Sequence, residues 1–276
     1  MASDTYSLNA RSVEVLDVEF NGRRHAVKRY IHSDVLDIYV VQPFFPDKEL
    51  WETPRSRQKT GIVVHHDAGG APATFTGELQ QLQVIYEMHV ANGWNGIGYH
   101  YLIAPSGRVW HTGHLGTHRA HTKGLDPYAE PSGKLNETKI GICFMGNYAD
   151  GKGLNGSTVD PLGDRPSDAA VAAFKDLVQL CADIFNAPMD VRPHKYWAAR
   201  TGEPTLCPGD WAPLDAWDGT VITPSRPAPA PEPEPAPAPA PEPEVPEAES
   251  VFVGIRRDTL RELGAQLLTL ANHGDK

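Results

Sequence analysis

The chain is poor in cysteine and lacks the apolar runs that membrane proteins need. Its 276 residues include three cysteines, Cys143, Cys181 and Cys207. Three is an odd and small number, which is not typical of a disulfide framework, so we expect the thiols to be reduced. No apolar run approaches the roughly 20 residues of a membrane-spanning helix. The sequence therefore excludes a disulfide-stabilised scaffold and predicts no membrane partner.

Basic residues are also scarce. There are 25 lysines and arginines against 35 acidic residues, which gives a net charge of −10. This balance argues against nucleic acid as a partner. Residues 1–20 contain no apolar core of signal-peptide length, so we expect synthesis in the cytoplasm without a signal peptide. The length allows one core of roughly 150–200 residues with appendages.

The first 50 residues form a predicted β extension. Residues 12–20 largely alternate apolar and charged side chains, and Asn21-Gly22 is a strong hairpin signal. Residues 23–31 and 35–41 are further predicted strands. The extension is either a flap on the main domain or a separate binding module.

The other appendage is C-terminal. Residues 224–249 consist mainly of proline, alanine and glutamate, a composition that predicts an extended, semi-rigid linker. Residues 250–276 are a predicted amphipathic helix, whose leucines repeat in heptad spacing at Leu260, Leu263, Leu267 and Leu270. This helix either docks on a partner, on the chain itself or on a second copy, or is a frayed tail.

Between the appendages, apolar strands alternate with amphipathic helices. Strands are predicted over the β-branched run at 62–64, at 98–104 and at 139–145. Thr76 is the predicted N-cap of a helix that ends at Asn92-Gly93, and Ser167 is that of a second helix. Cys143 lies in a strand and Cys181 on an apolar helix face, so both are expected in the core.

Polar residues appear abruptly at the end of the first of these strands. Ile62, Val63 and Val64 form a β-branched run that suits a strand buried on both faces, and two histidines follow. A catalytic zinc site needs three protein ligands and one open position. The candidates are His65 or His66, His194 and Cys207, the last two flanking a predicted irregular segment. A purely structural zinc would need a fourth ligand, for which His66 is the nearest candidate.

Six short motifs occur in order, at residues 63–68, 96–103, 119–124, 140–148, 193–194 and 205–209. The first reads Val-Val-His-His-Asp-Ala, and the last reads Thr-Leu-Cys-Pro-Gly. Together they resemble the zinc N-acetylmuramoyl-L-alanine amidase family, which includes phage lysozyme-type amidases and peptidoglycan recognition proteins. The resemblance covers residues 58–218. It implies an α/β fold, in which a mixed central β-sheet is flanked by helices on both faces.

The resemblance also implies roles for individual residues. The metal ligands are His65, chosen over His66, together with His194 and Cys207, and the cofactor is Zn²⁺. The catalytic residues are Tyr99, beside the metal-bound water, and Thr205. Substrate-binding positions along the groove are His121 and Asn136.

Two departures from the family pattern concern the groove. The segment between His194 and Cys207 is lengthened by an insertion around residues 198–203. The loop between His121 and Asn136 is also longer than usual. We expect both to reshape the groove without removing a metal ligand.

The implied activity is hydrolysis of the amide bond between N-acetylmuramic acid and L-alanine in peptidoglycan. Since no signal peptide is predicted, a phage endolysin that acts on the cell wall after release at lysis fits best. One alternative is a cytosolic wall-recycling amidase. The other is a non-catalytic peptidoglycan-binding module, although binding-only relatives characteristically lack the cysteine ligand.

Overall fold

The computed structural model describes residues 10–41, 44–48, 58–129, 133–149, 165–209 and 220–225. These residues belong to one of the two units into which the chain divides, residues 1–228. The predicted C-terminal helix and the predicted linker beyond Ser225 lie outside the described residues. None of the helices within the described ranges is both long and apolar enough to cross a membrane.

Eleven strands and four helices make up the described part of the fold. The strands are β1 (Ser12–Phe20), β2 (Arg23–Ile31), β3 (Asp37–Val40), β4 (Gly61–His66), β5 (Tyr101–Ile103), β6 (Val109–His111), β7 (Leu125–Asp126), β8 (Gly133–Lys134), β9 (Lys139–Phe144), β10 (Met189–Pro193) and β11 (Thr220–Ile222). The helices are α1 (Phe75–Ala91), α2 (Leu135–Thr138), α3 (Asp168–Phe185) and α4 (His194–Thr201).

Nine strands form one mixed sheet in the order β1-β2-β3-β6-β5-β9-β4-β10-β11, and β7 and β8 form a separate pair. Strand β4 runs parallel to both of its neighbours, β9 and β10. All six residues of β4 are buried, as expected for a β-branched strand inside a sheet. A cleft lined by His65 and His66 lies at the carboxyl end of this strand.

Helices cover both faces of the sheet. On one face, Leu79, Leu82 and Ile85 of α1 belong to a core cluster with strand residues such as Leu102. On the other face, α3 contributes Phe174, Leu177, Val178 and Cys181 to a cluster that contains strand residues of β4 and β9. The predicted α/β fold with helices on both faces is therefore confirmed, and Cys181 and Cys143 are both core residues.

The N-terminal extension continues the main sheet. Strands β1 and β2 pair antiparallel around Asn21-Gly22, where both residues have positive φ, and β3 pairs in parallel with β6. Phe20, Val27 and Tyr39 of the extension share the core cluster of α1. Edge pairing and apolar packing thus join the extension to the main sheet.

Three local expectations need correction. Thr74, not Thr76, caps α1, because its Oγ1 accepts the Gly77 N–H at 3.1 Å. The predicted strand at 98–104 is regular only over β5. The segment between His194 and Cys207 is not irregular throughout, because it begins with α4, which buries Trp197 and ends at Gly202 with φ of 71°. The Ser167 cap of α3 is confirmed.

Candidate metal centre

Two parallel strands place two imidazoles side by side. His65 lies near the carboxyl end of β4, and His194 follows β10 directly as the first residue of α4. Pro193 is in register with Val64, and the carboxyl ends of adjacent parallel strands meet at one edge of a sheet. The ring centroids of His65 and His194 are consequently 4.5 Å apart.

A tight turn after α4 carries Cys207 to the same point. The Lys195 N–H donates to the Cys207 carbonyl at 2.9 Å, which fixes the turn against the start of α4. Gly209 has φ of 96°, and a Cβ there would lie 1.9 Å from the Tyr148 carbonyl oxygen, so only glycine fits. The Cys207 Sγ accepts the backbone N–H of His66 at 3.3 Å. The thiol is therefore buried beside β4.

These three side chains form a compact donor set. One ligand atom from each of His65, His194 and Cys207 lies within 4.8 Å of the others, and no other His, Cys, Asp or Glu group of this kind occurs in the described residues. His65 Nδ1 and Cys207 Sγ are 3.6 Å apart. Ligands on tetrahedral zinc, with Zn–N near 2.0–2.1 Å and Zn–S near 2.3 Å, are separated by about 3.5 Å. The donor set therefore fits a zinc ion.

His66 does not belong to the donor set. Successive side chains of a strand point to opposite faces, so His66 projects away from His65. Its Nδ1 accepts the Tyr148 N–H at 3.1 Å. Burial, with the nearby His194, lowers the pKa of His66 to about 4, which keeps the ring a neutral acceptor. The structure thus brings His65 to the donors and uses His66 as a structural hydrogen-bond acceptor.

Burial sets the protonation of the donors. It lowers the pKa of His65 well below its usual range, with His194 and His121 adding to the effect. Burial also lowers the pKa of His194, which the Glu203 carboxylate opposes. It raises the pKa of the Cys207 thiol to about 12. The imidazoles are therefore neutral, as metal ligation requires, and a thiolate here needs the positive charge of a metal.

Tyr99 and Thr205 both reach the cleft. The Tyr99 ring lies 5.1 Å from the His65 ring, and burial, followed by the charges of Cys143 and Cys207, raises the pKa of its phenol well above 10. The phenol therefore stays protonated and is a hydrogen-bond donor. Thr205 Oγ1 accepts the Cys207 N–H at 3.1 Å, so this hydroxyl braces the turn that holds the cysteine.

His121 and Asn136 form another wall. His121 Nδ1 lies 3.2 Å from His65 Nε2, and its ring packs on Gly141, where a Cβ would come within 2.6 Å of the ring. Asn136 Oδ1 accepts the N–H groups of His121 and Thr122 at 3.1 and 3.0 Å. Both residues line the cleft, but their observed contacts are with the protein: His121 holds a donor imidazole and Asn136 holds the loop of His121.

Comparison with known proteins agrees with this geometry. The family described as N-acetylmuramoyl-L-alanine amidase matches residues 55–210 of the chain. The chain belongs to this amidase family. The family that the sequence motifs resemble is thereby confirmed.

Individual relatives of this amidase-family chain are peptidoglycan recognition proteins. Peptidoglycan-recognition protein SC2 of Drosophila melanogaster is 28% identical over 180 residues, which cover 62% of this chain and 84% of the relative. Peptidoglycan recognition protein 1 of Bos indicus is 36% identical over 93 residues, covering 32% of this chain and 42% of the relative. The solved structure of bumblebee PGRP-SA has a TM-score of 0.51 at 22% identity and covers 68% of this chain and 99% of that one, which shows a shared fold.

The donor set lies in a cleft of about 420 Å³, which contains all seven of the predicted site residues. Sequence reasoning missed several other residues on its walls, including Trp94, Lys123, Asn147 and Glu203. Three of them had a signal in the sequence: Lys123 and Asn147 lie within the motifs at residues 119–124 and 140–148, and Glu203 lies in the segment around residues 198–203 where an insertion is expected. The segment in which the sequence predicts an insertion thus contributes Glu203 to the wall of the cleft.

Proposed function

We propose that the protein is a zinc-dependent N-acetylmuramoyl-L-alanine amidase that hydrolyses the amide bond between N-acetylmuramic acid and L-alanine in peptidoglycan. The observation that carries the proposal is the meeting of Cys207 with His65 and His194 within 4.8 Å in an open cleft. Two neutral imidazoles and one thiolate would supply three protein ligands to a zinc ion, the number that catalytic zinc sites use.

His65, His194 and Cys207 would hold the zinc. When bound, zinc supplies Lewis acidity and lowers the pKa of a coordinated water toward about 7. The protein contributes a fixed and buried donor set. The His65 ring is held by His121 at Nε2, and the Cys207 turn is held by Lys195 and Thr205.

Tyr99 is the proposed electrostatic catalyst. Its phenol remains protonated at neutral pH and lies beside the donor set, so it can donate a hydrogen bond to the negative charge that develops on the amide oxygen. Thr205 supports the Cys207 turn through one lone pair, and its own proton is available to the substrate. Its hydroxyl cannot supply the positive charge that a lysine at this position brings in some phage enzymes. We therefore assign more of the catalysis to zinc and Tyr99.

His121 and Asn136 are proposed to line the groove for the peptide stem. Asn136 fixes the loop that carries His121 and Thr122, so it shapes this wall of the groove. The proposed partner is peptidoglycan, and the proposed setting is cell-wall lysis by a phage endolysin.

The second candidate is a peptidoglycan-binding protein without activity. Several relatives are named for recognition, which supports this alternative. The presence of Cys207 among the donors favours the enzyme, because binding-only relatives characteristically lack that cysteine.

The test uses the purified full-length chain on isolated peptidoglycan. Mass spectrometry of the digest should show stem peptides with a free L-alanine amino terminus and intact glycan chains. Removal of metal with a chelator should abolish their release, and added zinc should restore it. Cys207→Ser should lose zinc and activity together. Binding of peptidoglycan without release of stem peptides by the zinc-loaded protein would establish the recognition alternative.

The cellular setting needs a separate assay. A lytic enzyme should clear suspensions of wall-exposed bacterial cells, whereas a recycling amidase should cleave soluble muropeptides and leave intact wall unaffected. Hydrolysis restricted to soluble fragments would contradict the endolysin proposal while leaving the proposed chemistry intact.

A further inference from the structure

Glu203 lies just past the end of α4 and faces the donor imidazole of His194. Its backbone N–H donates to the Ala198 carbonyl at 3.0 Å, just past the end of α4. This contact folds the chain back, so that Glu203 Oε2 lies 3.6 Å from His194 Nε2. The carboxylate is 21% exposed and the His194 side chain is 12% exposed. Solvent therefore has little access to the contact between the two groups.

Both facing atoms lack any other hydrogen-bond partner in the described part of the chain. His194 Nε2 and Glu203 Oε2 are each fully buried and unsatisfied. A buried polar atom without a partner costs about 1–3 kcal/mol, so two such atoms facing each other indicate a shared contact. A distance of 3.6 Å exceeds that of a hydrogen bond, but such bonds in active sites are often long before the site is filled.

The other carboxylate oxygen is also held. Glu203 Oε1 lies 3.2 Å from Lys123 Nζ, whose side chain is 76% exposed at the rim of the cleft. Lys123 therefore pairs with Oε1 from the solvent side, a contact that contributes little because the lysine is exposed, while Oε2 faces His194. Glu203 is not part of the three-residue donor set.

We propose that Glu203 is a positioning residue for the metal centre, whose carboxylate accepts the Nε2–H of His194 and so leaves Nδ1 of that ring for the metal. The inference rests on the proposed zinc-dependent function. Carboxylates that hold the second nitrogen of a ligating histidine fix its tautomer and orientation and raise its basicity. His121 occupies the equivalent place at Nε2 of His65, so each donor imidazole has a partner behind it.

The insertion around residues 198–203 acquires a role through this assignment. The Gly202 cap and the hydrogen bond from the Glu203 N–H to the Ala198 carbonyl turn the chain at the end of α4, and this turn brings Glu203 to face His194. The inserted residues thus supply a support for a metal ligand, in addition to any effect on groove shape.

The test compares zinc affinity in full-length variants by competition with a chromophoric chelator. Loss of such a partner typically weakens metal binding by 10–100-fold, so we expect Glu203→Ala to fall in this range. Glu203→Gln keeps an acceptor oxygen without the charge, so it should recover part of the affinity. Lys123→Met should change affinity less than threefold, and Glu87→Gln, an exposed carboxylate on α1, should leave it unchanged.

A second readout separates positioning from folding. In the zinc-loaded protein labelled with ¹⁵N-histidine, His194 should carry its proton on Nε2, and the resonance of that proton should be lost or broadened in Glu203→Ala. Equal zinc affinity in wild type and Glu203→Ala would overturn the inference, as would a proton on Nδ1 of His194. Absence of zinc binding by the wild type would instead refute the proposed function.

Discussion

Replacing Tyr99 by phenylalanine removes one hydroxyl from the cleft and leaves the aromatic ring in place. The ring packs 5.1 Å from that of His65 and 5.6 Å from that of His89, contacts that phenylalanine preserves. We therefore expect zinc content close to wild type, with a loss of stability of about 1 kcal/mol because the hydrogen bond between the phenol and the Cys143 side chain is removed. Removal of one donor aimed at a developing oxyanion costs about 10²–10³ in kcat, or about 2.7–4 kcal/mol. Burial of the phenol favours the upper part of that range.

The assay measures kcat and KM for a soluble muramyl peptide, with zinc content determined on the same samples. Tyr128→Phe is the matched control, because Tyr128 is 60% exposed and lies outside the cleft. It should retain turnover within twofold of wild type. Wild-type turnover in Tyr99→Phe would refute the assignment of the phenol as a catalyst. Loss of zinc from this variant would show that the tyrosine supports the metal centre instead.

Three further predictions follow from other parts of the structure. Asn136→Ala leaves the His121 and Thr122 N–H groups without their acceptor. The free energy of unfolding measured in urea should therefore fall by about 1–3 kcal/mol. An unchanged free energy of unfolding would contradict this role of Asn136. Burial, aided by Arg119, lowers the pKa of Lys59 to about 7 from 10.5. Between pH 7 and 8.5 Lys59 is therefore protonated in the unfolded chain but increasingly neutral in the folded chain. The free energy of unfolding should rise by at most about 2 kcal/mol over this interval. Lys59→Met should not show this rise. Chelation should lower the melting temperature, because zinc at 100 times its Kd adds about 2.7 kcal/mol; a melting temperature insensitive to zinc would exclude a site in the folded state.

The parts of the fold that the sequence predicts are those with strong local signals. Strand β4 has a β-branched run, the first hairpin has Asn21-Gly22, and α3 has Ser167 immediately before its apolar face. The sequence does not fix the N-cap of α1, because Thr74 and Thr76 are both able to cap a helix and only the extended backbone at Thr74 decides between them. The pairing of β3 with β6 joins residues some 70 positions apart, and no local pattern specifies it.

The candidate site divides in the same way. Ordered motifs identified the residues that form the donor set, and the choice of His65 over His66 agrees with the geometry around Cys207. The contacts of Asn136 and Glu203 were not predictable, because each depends on how a loop or a helix end folds back onto the sheet. Glu203 has no recognisable spacing from His194 until α4 exists to bring the two together.

The central claim is that two imidazoles and one thiolate hold a single metal ion with one position left open. X-ray absorption at the zinc edge of the purified full-length protein tests it most directly. The account predicts one zinc per chain, with one sulfur at about 2.3 Å, two imidazole nitrogens at about 2.0–2.1 Å and one further light atom from solvent. The sulfur should disappear in Cys207→Ala. A zinc shell without sulfur, or one filled by four protein ligands, would contradict it.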